Sequence, residues 1–249
     1  MLILLPPSET KRAGGRARPL DLGRLALPQL APQRAAVVDA LVTLSGDEDE
    51  AARVLRLSPR QRHEVAANAA LRTAPTMPAI DRYTGVLYDA LDASTLAPAA
   101  RRWLGAHVLI HSAPFGPVGA LDAIPAYRLA AGTGLPGLPA LRRHWADATT
   151  AALAVAAPQF VLDLRSEAYA ALGPVPEGVA TAYLRVVTAG ADGTVRALNH
   201  FNKHAKGDLV RRLAEARPRV ATPAAFVRWA ASTGLEVRAG APGELDLVV

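Results

Sequence analysis

Residues Gly190-Ala191-Asp192-Gly193 lie between two runs of strand-forming residues, Thr181 to Val187 and Thr194 to Leu198. Asp-Gly takes up the positive φ angles of a tight hairpin turn, so this stretch commits the chain to an antiparallel pair. Other strands are expected at 2–5, 107–111, 160–164, 235–238 and 244–249, where short apolar runs are bounded by turn residues. Helical spacing is expected over 35–44, 51–57, 58–71, up to Leu91, over 96–104 and 138–156, up to Leu172, and over 203–216 and 222–232. Ser58-Pro59 reads as an N-cap followed by proline at the first helical position. Five Pro or Gly residues within 112–127 argue against a regular element there. This mixed order predicts an α+β (mixed α/β) fold: one domain over 1–249, with a mixed sheet, flanking helices and a helix pair at 51–72.

Several classes are excluded. No Gly-x-Gly-x-x-Gly follows the first strand and there is no P-loop, so no cofactor is expected. No apolar run approaches the ~20 residues of a membrane span. The absence of cysteine removes thiol chemistry and fits a reducing compartment. A soluble cytoplasmic protein is the expectation. A formal charge of +6 biases its partners toward polyanions: nucleic acid, nucleotides or phosphorylated metabolites.

Of 28 basic residues only three are lysine: Lys11, Lys203 and Lys206. Lysine supplies a compact point charge whose pKa burial can lower, whereas arginine is a flat fork that stays charged. Two of the three fall in the segment Asn199-His200-Phe201-Asn202-Lys203-His204-Ala205-Lys206-Gly207. Read as the end of a hairpin strand and the start of a helix, this segment sets Lys203 and Lys206 on one face beside free first-turn amides, an arrangement suited to phosphate or carboxylate. His200 and His204 are four apart but lack a third ligand, so no metal is expected. Asp163, Ser166 and Tyr169 follow the third strand, where ligand groups gather. Arg128, after Tyr127, offers a bidentate clamp, and Arg60 and Arg62 could grip a nucleic-acid backbone. Asp163, His200 and Ser166 lack the turn and oxyanion loop of a nucleophilic triad, and no catalytic residue is assigned.

Taken in order, Pro7, Ser8 and Thr10; Tyr83-Thr84-Gly85; Ser112 with Phe115-Gly116 and Leu121-Asp122; Tyr127-Arg128-Leu129 with Gly132; Trp145; Leu164, Ser166 and Tyr169; and Lys203-x-Ala205-Lys206-Gly207 resemble the YaaA-type peroxide stress family over essentially the whole chain. The resemblance implies an α+β fold with a helix-hairpin-helix-like element and a role in limiting iron-dependent oxidative damage. It further implies binding of DNA, including distorted or branched DNA, in a basic cleft. The DNA or phosphate residues would be Lys203, Lys206, Gly207, Arg128, Lys11, Arg60 and Arg62. The pocket candidates are Ser8, Thr10, Tyr83, Tyr127, Asp163, Ser166, Tyr169, Asn199, His200 and Asn202. Glu9 stands where many relatives carry lysine, and Val118-Gly119-Ala120 where they read Leu-Arg-Pro. The competing reading is an enzyme acting on a phosphorylated or nucleotide-like small molecule. An enclosed pocket and a lowered lysine pKa would favour that reading; an open arginine-lined groove would favour DNA.

Overall fold

The computed structural model describes residues 1–189, 195–197 and 199–249, with side chains described outside 189–201. The chain opens with β1 (Leu2–Leu5) and, after two 3-10 turns, forms α1 (Ala31–Leu44), α2 (Glu48–Val54) and α3 (Glu64–Ala69). Then come β2 (Met77–Pro78), α4 (Ala79–Arg82), α5 (Val86–Leu91), α6 (Pro98–His107), β3 (Val108–Ser112), β4 (Gly116–Gly119) and β5 (Ala123–Ile124). The remainder is α7 (Leu141–Ala156), β6 (Val161–Asp163), α8 (Glu167–Ala170), β7 (Thr181–Ala189), β8 (Val195–Ala197), α9 (Asn199–Ala216), α10 (Pro223–Ser232), β9 (Val237–Ala239) and β10 (Glu244–Val248).

The main sheet runs β4-β3-β1-β6-β7-β10-β9, with β8 also paired to β7, and β2 and β5 form a small second sheet. Its centre, β3-β1-β6-β7-β10, is parallel, and β4, β8 and β9 pair antiparallel, so the fold is the mixed α+β type expected. The β7-β8 pairing matches the expected hairpin; its turn, 190–193, lies outside the described residues.

Alternation along β1 divides the core. Ile3 and Leu5 join the large cluster with Val108, Ile110 and Leu162, while Leu4 packs with Leu109, Val161 and Leu153 of α7 on the other face. Central parallel strands are covered on both sides, which is why they read as continuous apolar runs.

Residues 112–127 depart from expectation. Gly116–Gly119 is a fully buried strand paired with β3. Proline is tolerated because this is the sheet edge, where its missing N–H breaks no ladder. The buried Arg34 substitutes for a neighbouring strand, donating to the carbonyls of Phe115 at 2.8 Å and Pro117 at 2.8 Å. Gly116, at φ +60°, lies against the Trp145 ring. The helix expected from Ser58 to Leu71 is also broken: a 3-10 turn (Pro59–Gln61) precedes the shorter α3. The serine cap is present, Ser58 closing a capping box with Gln61.

Candidate functional site

Unequal strand lengths create the site. β1 stops at Leu5, and β6 stops at Asp163, which is in register with Tyr183; β7 continues to Ala189. Beyond the carboxyl ends of β1 and β6 this leaves a step, filled by 6–10 and 164–169 and walled by the starts of α5 and α9. A cavity of about 880 Å³ occupies it, lined among others by Ser8, Thr10, Tyr88, Ser166, Glu167, Tyr169, Tyr183, Asn202, Lys203 and Lys206. Crevices outside the carboxyl ends of parallel strands are where open sheets bind ligands.

Helix α9 begins at Asn199, four residues before the expected start, so Lys203 and Lys206 lie in its second turn and not at its first-turn amides. Lys203 is exposed and Lys206 is buried. The Lys206 ammonium donates to the Leu164 carbonyl at 3.1 Å and stands 5.7 Å from the Tyr183 ring centroid. Burial pushes its pKa down to about 8, with the Asp163 carboxylate pulling back. It has no carboxylate partner within salt-bridge distance among the described residues. Gly207 sets this geometry: a Cβ there would overlap the Leu87 carbonyl, so glycine lets α9 lie directly on α5.

The opposite rim is a hydroxyl cluster. Ser8 Oγ and Thr10 Oγ1 are 3.3 Å apart, and Thr84 donates to Thr10 Oγ1 at 3.1 Å. Gly85, at φ +93°, brings backbone against both. Asn202 lies one turn before Lys206, and its Oδ1 is buried without a partner among the described residues. Arg185 pairs with Glu244 at 3.2 Å and Glu9 with Arg128 at 3.3 Å, leaving Lys203, Lys206 and Glu167 as the wall charges without an ion-pair partner among the described residues.

Of the expected residues, the fold therefore brings Ser8, Thr10, Ser166, Tyr169, Asn202, Lys203 and Lys206 to one cavity. Asp163 lies beneath it, its carboxylate bonded to the buried Arg165 guanidinium at 2.9 and 2.6 Å. Lys11, Tyr83 and Tyr127 form a separate nest. The two phenols are 2.8 Å apart, and the Lys11 ammonium sits 4.1 Å from the Tyr127 centroid while donating to the Ser8 carbonyl at 2.9 Å. Burial lowers the Lys11 pKa to about 8, against the pull of Glu9. Arg128 bridges Glu9 and Glu64 at the edge of this nest. Arg62 is ion-paired to Glu48 and Asp49 on α2, and Arg60 is exposed on the turn before α3. The Asn199 and His200 side chains lie outside the described residues.

Sequence reasoning missed Tyr88, Glu167, Tyr183, Arg185 and Glu244 of the cavity. A signal existed for two of them: Tyr183 and Arg185 alternate along β7 with the buried Ala182, Leu184 and Val186. It also missed Arg165, which joins Asp163 to the ring of the buried His111 at 2.9 Å and to the Gly173 carbonyl at 2.8 Å. Burial, then the Arg165 charge, depress the His111 pKa, so that ring is neutral and accepts at Nδ1.

The chain is an α+β protein with a cavity and a buried lysine at the carboxyl ends of its parallel strands. The model of the peroxide stress protein YaaA family matches residues 1–239, and the chain belongs to that family of peroxide-stress proteins. It is 47% identical over 256 residues to a UPF0246 protein of Corynebacterium efficiens, covering all of both chains. It is 45% identical over 246 residues to one of Streptomyces coelicolor, covering 98% of this chain and 94% of the relative. No helix among the described residues is long and apolar enough to cross a membrane.

Proposed function

We propose that, within a peroxide-stress role, the protein binds a phosphorylated or nucleotide-like small molecule in the cavity at the carboxyl ends of β1 and β6. The observation that carries this reading is Lys206: a buried ammonium, bonded only to a backbone carbonyl among the described residues, at the wall of a cavity of about 880 Å³. An uncompensated buried cation is costly, and an arriving anion relieves that cost. Lys206 is then the anion anchor, Lys203 the second charge at the mouth, and the Ser8 and Thr10 hydroxyls the groups that orient the ligand. A cavity of this volume falls in the usual range for small-molecule sites. Titration calorimetry with ribose 5-phosphate tests the reading: the native protein binds, and Lys206→Met loses at least about tenfold in affinity, a charged hydrogen bond's worth. Equal binding by the variant would refute it.

A second reading, DNA binding, is favoured by a different surface. Arg12, Arg16, Arg18 and Arg24 are all exposed on the loop after β1, and none is ion-paired among the described residues. Such a loop suits phosphate contacts that ignore sequence. If DNA binds there, replacing the four arginines by glutamine flattens the salt dependence of fluorescence anisotropy, whereas Lys206→Met leaves it unchanged; the reverse pattern would sink this assignment. Limiting iron-dependent damage is the cellular outcome proposed for either reading. It requires that a deletion strain accumulate free iron under peroxide, measured by electron paramagnetic resonance, and unchanged iron would refute it.

A further inference from the structure

A buried carboxylate lies beneath the cavity and does not pair with the cation above it. Asp163 is the one buried carboxylate among the described residues, it is in register with Tyr183, and the Lys206 ammonium stands 5.7 Å from that same tyrosine ring. Its charge is what pulls the Lys206 pKa back up. Other acids are no competitors for this role: on the cavity wall Glu9 and Glu244 pair with Arg128 and Arg185, and Glu167 is exposed. The Tyr169 and Tyr183 phenols are raised by burial and stay neutral. Opposite charges buried this near each other ordinarily combine, because each is costly alone.

Arg165 prevents the combination. Its Nε donates to Asp163 Oδ1 at 2.9 Å, its Nη2 to Oδ2 at 2.6 Å, and its backbone N–H to Oδ1 at 3.0 Å, so both carboxylate oxygens are taken by a bidentate fork. The fork is itself held, its Nη1 donating to His111 Nδ1 at 2.9 Å and to the Gly173 carbonyl at 2.8 Å. A Cβ at Gly173 would strike Thr149 and the His111 ring, so glycine is what lets this support close. Between the two members of the pair, Leu164 offers its carbonyl to Lys206 at 3.1 Å and donates its N–H to the Leu4 carbonyl at 2.8 Å. Residues 163–165 thus give Lys206 a neutral acceptor and withhold a charged one. Resting on the pocket reading above, we infer that Arg165 is the positioning residue of the anion site: by holding Asp163 it keeps that carboxylate from neutralising Lys206, which stays available to an incoming phosphate. The pair is neutral as a unit, so Lys206 supplies the net positive charge of the group. Without the guanidinium, Asp163 cancels that charge and repels the anion.

The test compares the native protein with Arg165→Gln, Asp163→Asn and the double variant carrying both changes. Two quantities are read: ribose 5-phosphate affinity by calorimetry, and the Lys206 titration midpoint by NMR of side-chain-labelled lysine without ligand. Arg165→Gln is expected to lose at least about fivefold in affinity and to raise the midpoint above the native value. The double variant, neutral at both positions, is expected to return the midpoint to the native value and the affinity to within about twofold. Asp163→Asn, which leaves the guanidinium without its counter-charge, is expected to lower the midpoint. A merely structural ion pair would move no midpoint, and the double variant would not be rescued. If Arg165→Gln does not fold, the double variant decides: a midpoint equal to the native one supports the inference, and a lower one shows that Asp163 acts on Lys206 despite Arg165 and overturns it. Native-like affinity and midpoint in Arg165→Gln, or a double variant that stays weak, also overturns it while leaving the pocket reading intact. Failure of the native protein to bind ribose 5-phosphate overturns both.

Discussion

Lys11 and Lys206 share a chemistry and differ in surroundings. Each is bonded to backbone carbonyls, faces tyrosine rings and is pushed down to about 8 by burial. Lys11 is half-buried and already occupied: Tyr83 and Tyr127 lie beside it, Glu9 and Glu64 raise its pKa in part, and Arg128 pairs with both carboxylates at its edge. Lys206 is the more buried of the two but lines the cavity, and among the described residues its only counter-charge is Asp163, itself committed to Arg165. On the proposed reading, the contrast separates a structural lysine from a binding one. Burial and a depressed pKa alone would not distinguish them; access to a ligand-sized space does.

The largest expected effect is on the packing that creates the open site. Gly207→Val drives a branched side chain into the Leu87 carbonyl and the Ala90 methyl, forcing α9 off α5. It should cost about 3 kcal/mol in urea unfolding and abolish phosphate binding. An unchanged midpoint would mean that α5 and α9 do not depend on this close approach.

Stability against pH is the next handle, and its sign follows from the two lysines and the tyrosines. Below about 8 both lysines are charged in the folded and unfolded chain alike, so the folded state bears the full burial penalty. Between about 8 and 10.5 the folded lysines lose protons that the unfolded chain keeps, so stability rises with pH. Above about 10 the unfolded tyrosines ionise while Tyr83, Tyr88, Tyr127 and Tyr169, all raised by burial, stay neutral, so stability falls again. Chemical denaturation across pH 7 to about 11 should show this maximum, and Lys206→Met should lower the rising limb. A profile flat from 7 to about 10 would contradict burial of either ammonium.

The smallest effect separates the lysines functionally. Lys11→Met should leave phosphate affinity within about twofold of native, since its ammonium lies outside the cavity lining. A loss as large as that of Lys206→Met would erase the distinction.

Much of this was legible in the residues. β1 was readable to the residue because a parallel central strand is apolar on both faces and Pro6-Pro7 stops it. The rarity of lysine pointed to Lys206 and Lys11, and the carboxyl ends of strands pointed to Ser8, Ser166 and Tyr169. What could not be read depends on partners distant in sequence. β4 exists because Arg34, more than 80 residues earlier, satisfies its carbonyls. The role of Gly207 depends on where Leu87 lies, and nothing local to Lys11 distinguishes it from Lys206. Tyr183 and Glu244 meet only because β7 and β10 pair in parallel, a register set by tertiary packing.

Having only three lysines makes the most direct measurement simple: NMR titration of the protein with side-chain-labelled lysine, with and without ribose 5-phosphate. Two lysine signals should titrate near 8, and the one assigned to Lys206 by its loss in Lys206→Met should move to higher pH when the phosphate compound is added, while Lys11 stays in place. A Lys206 midpoint that ignores the phosphate, or a Lys11 midpoint that moves with it, would contradict the claim that the cavity beside Lys206 is the working site.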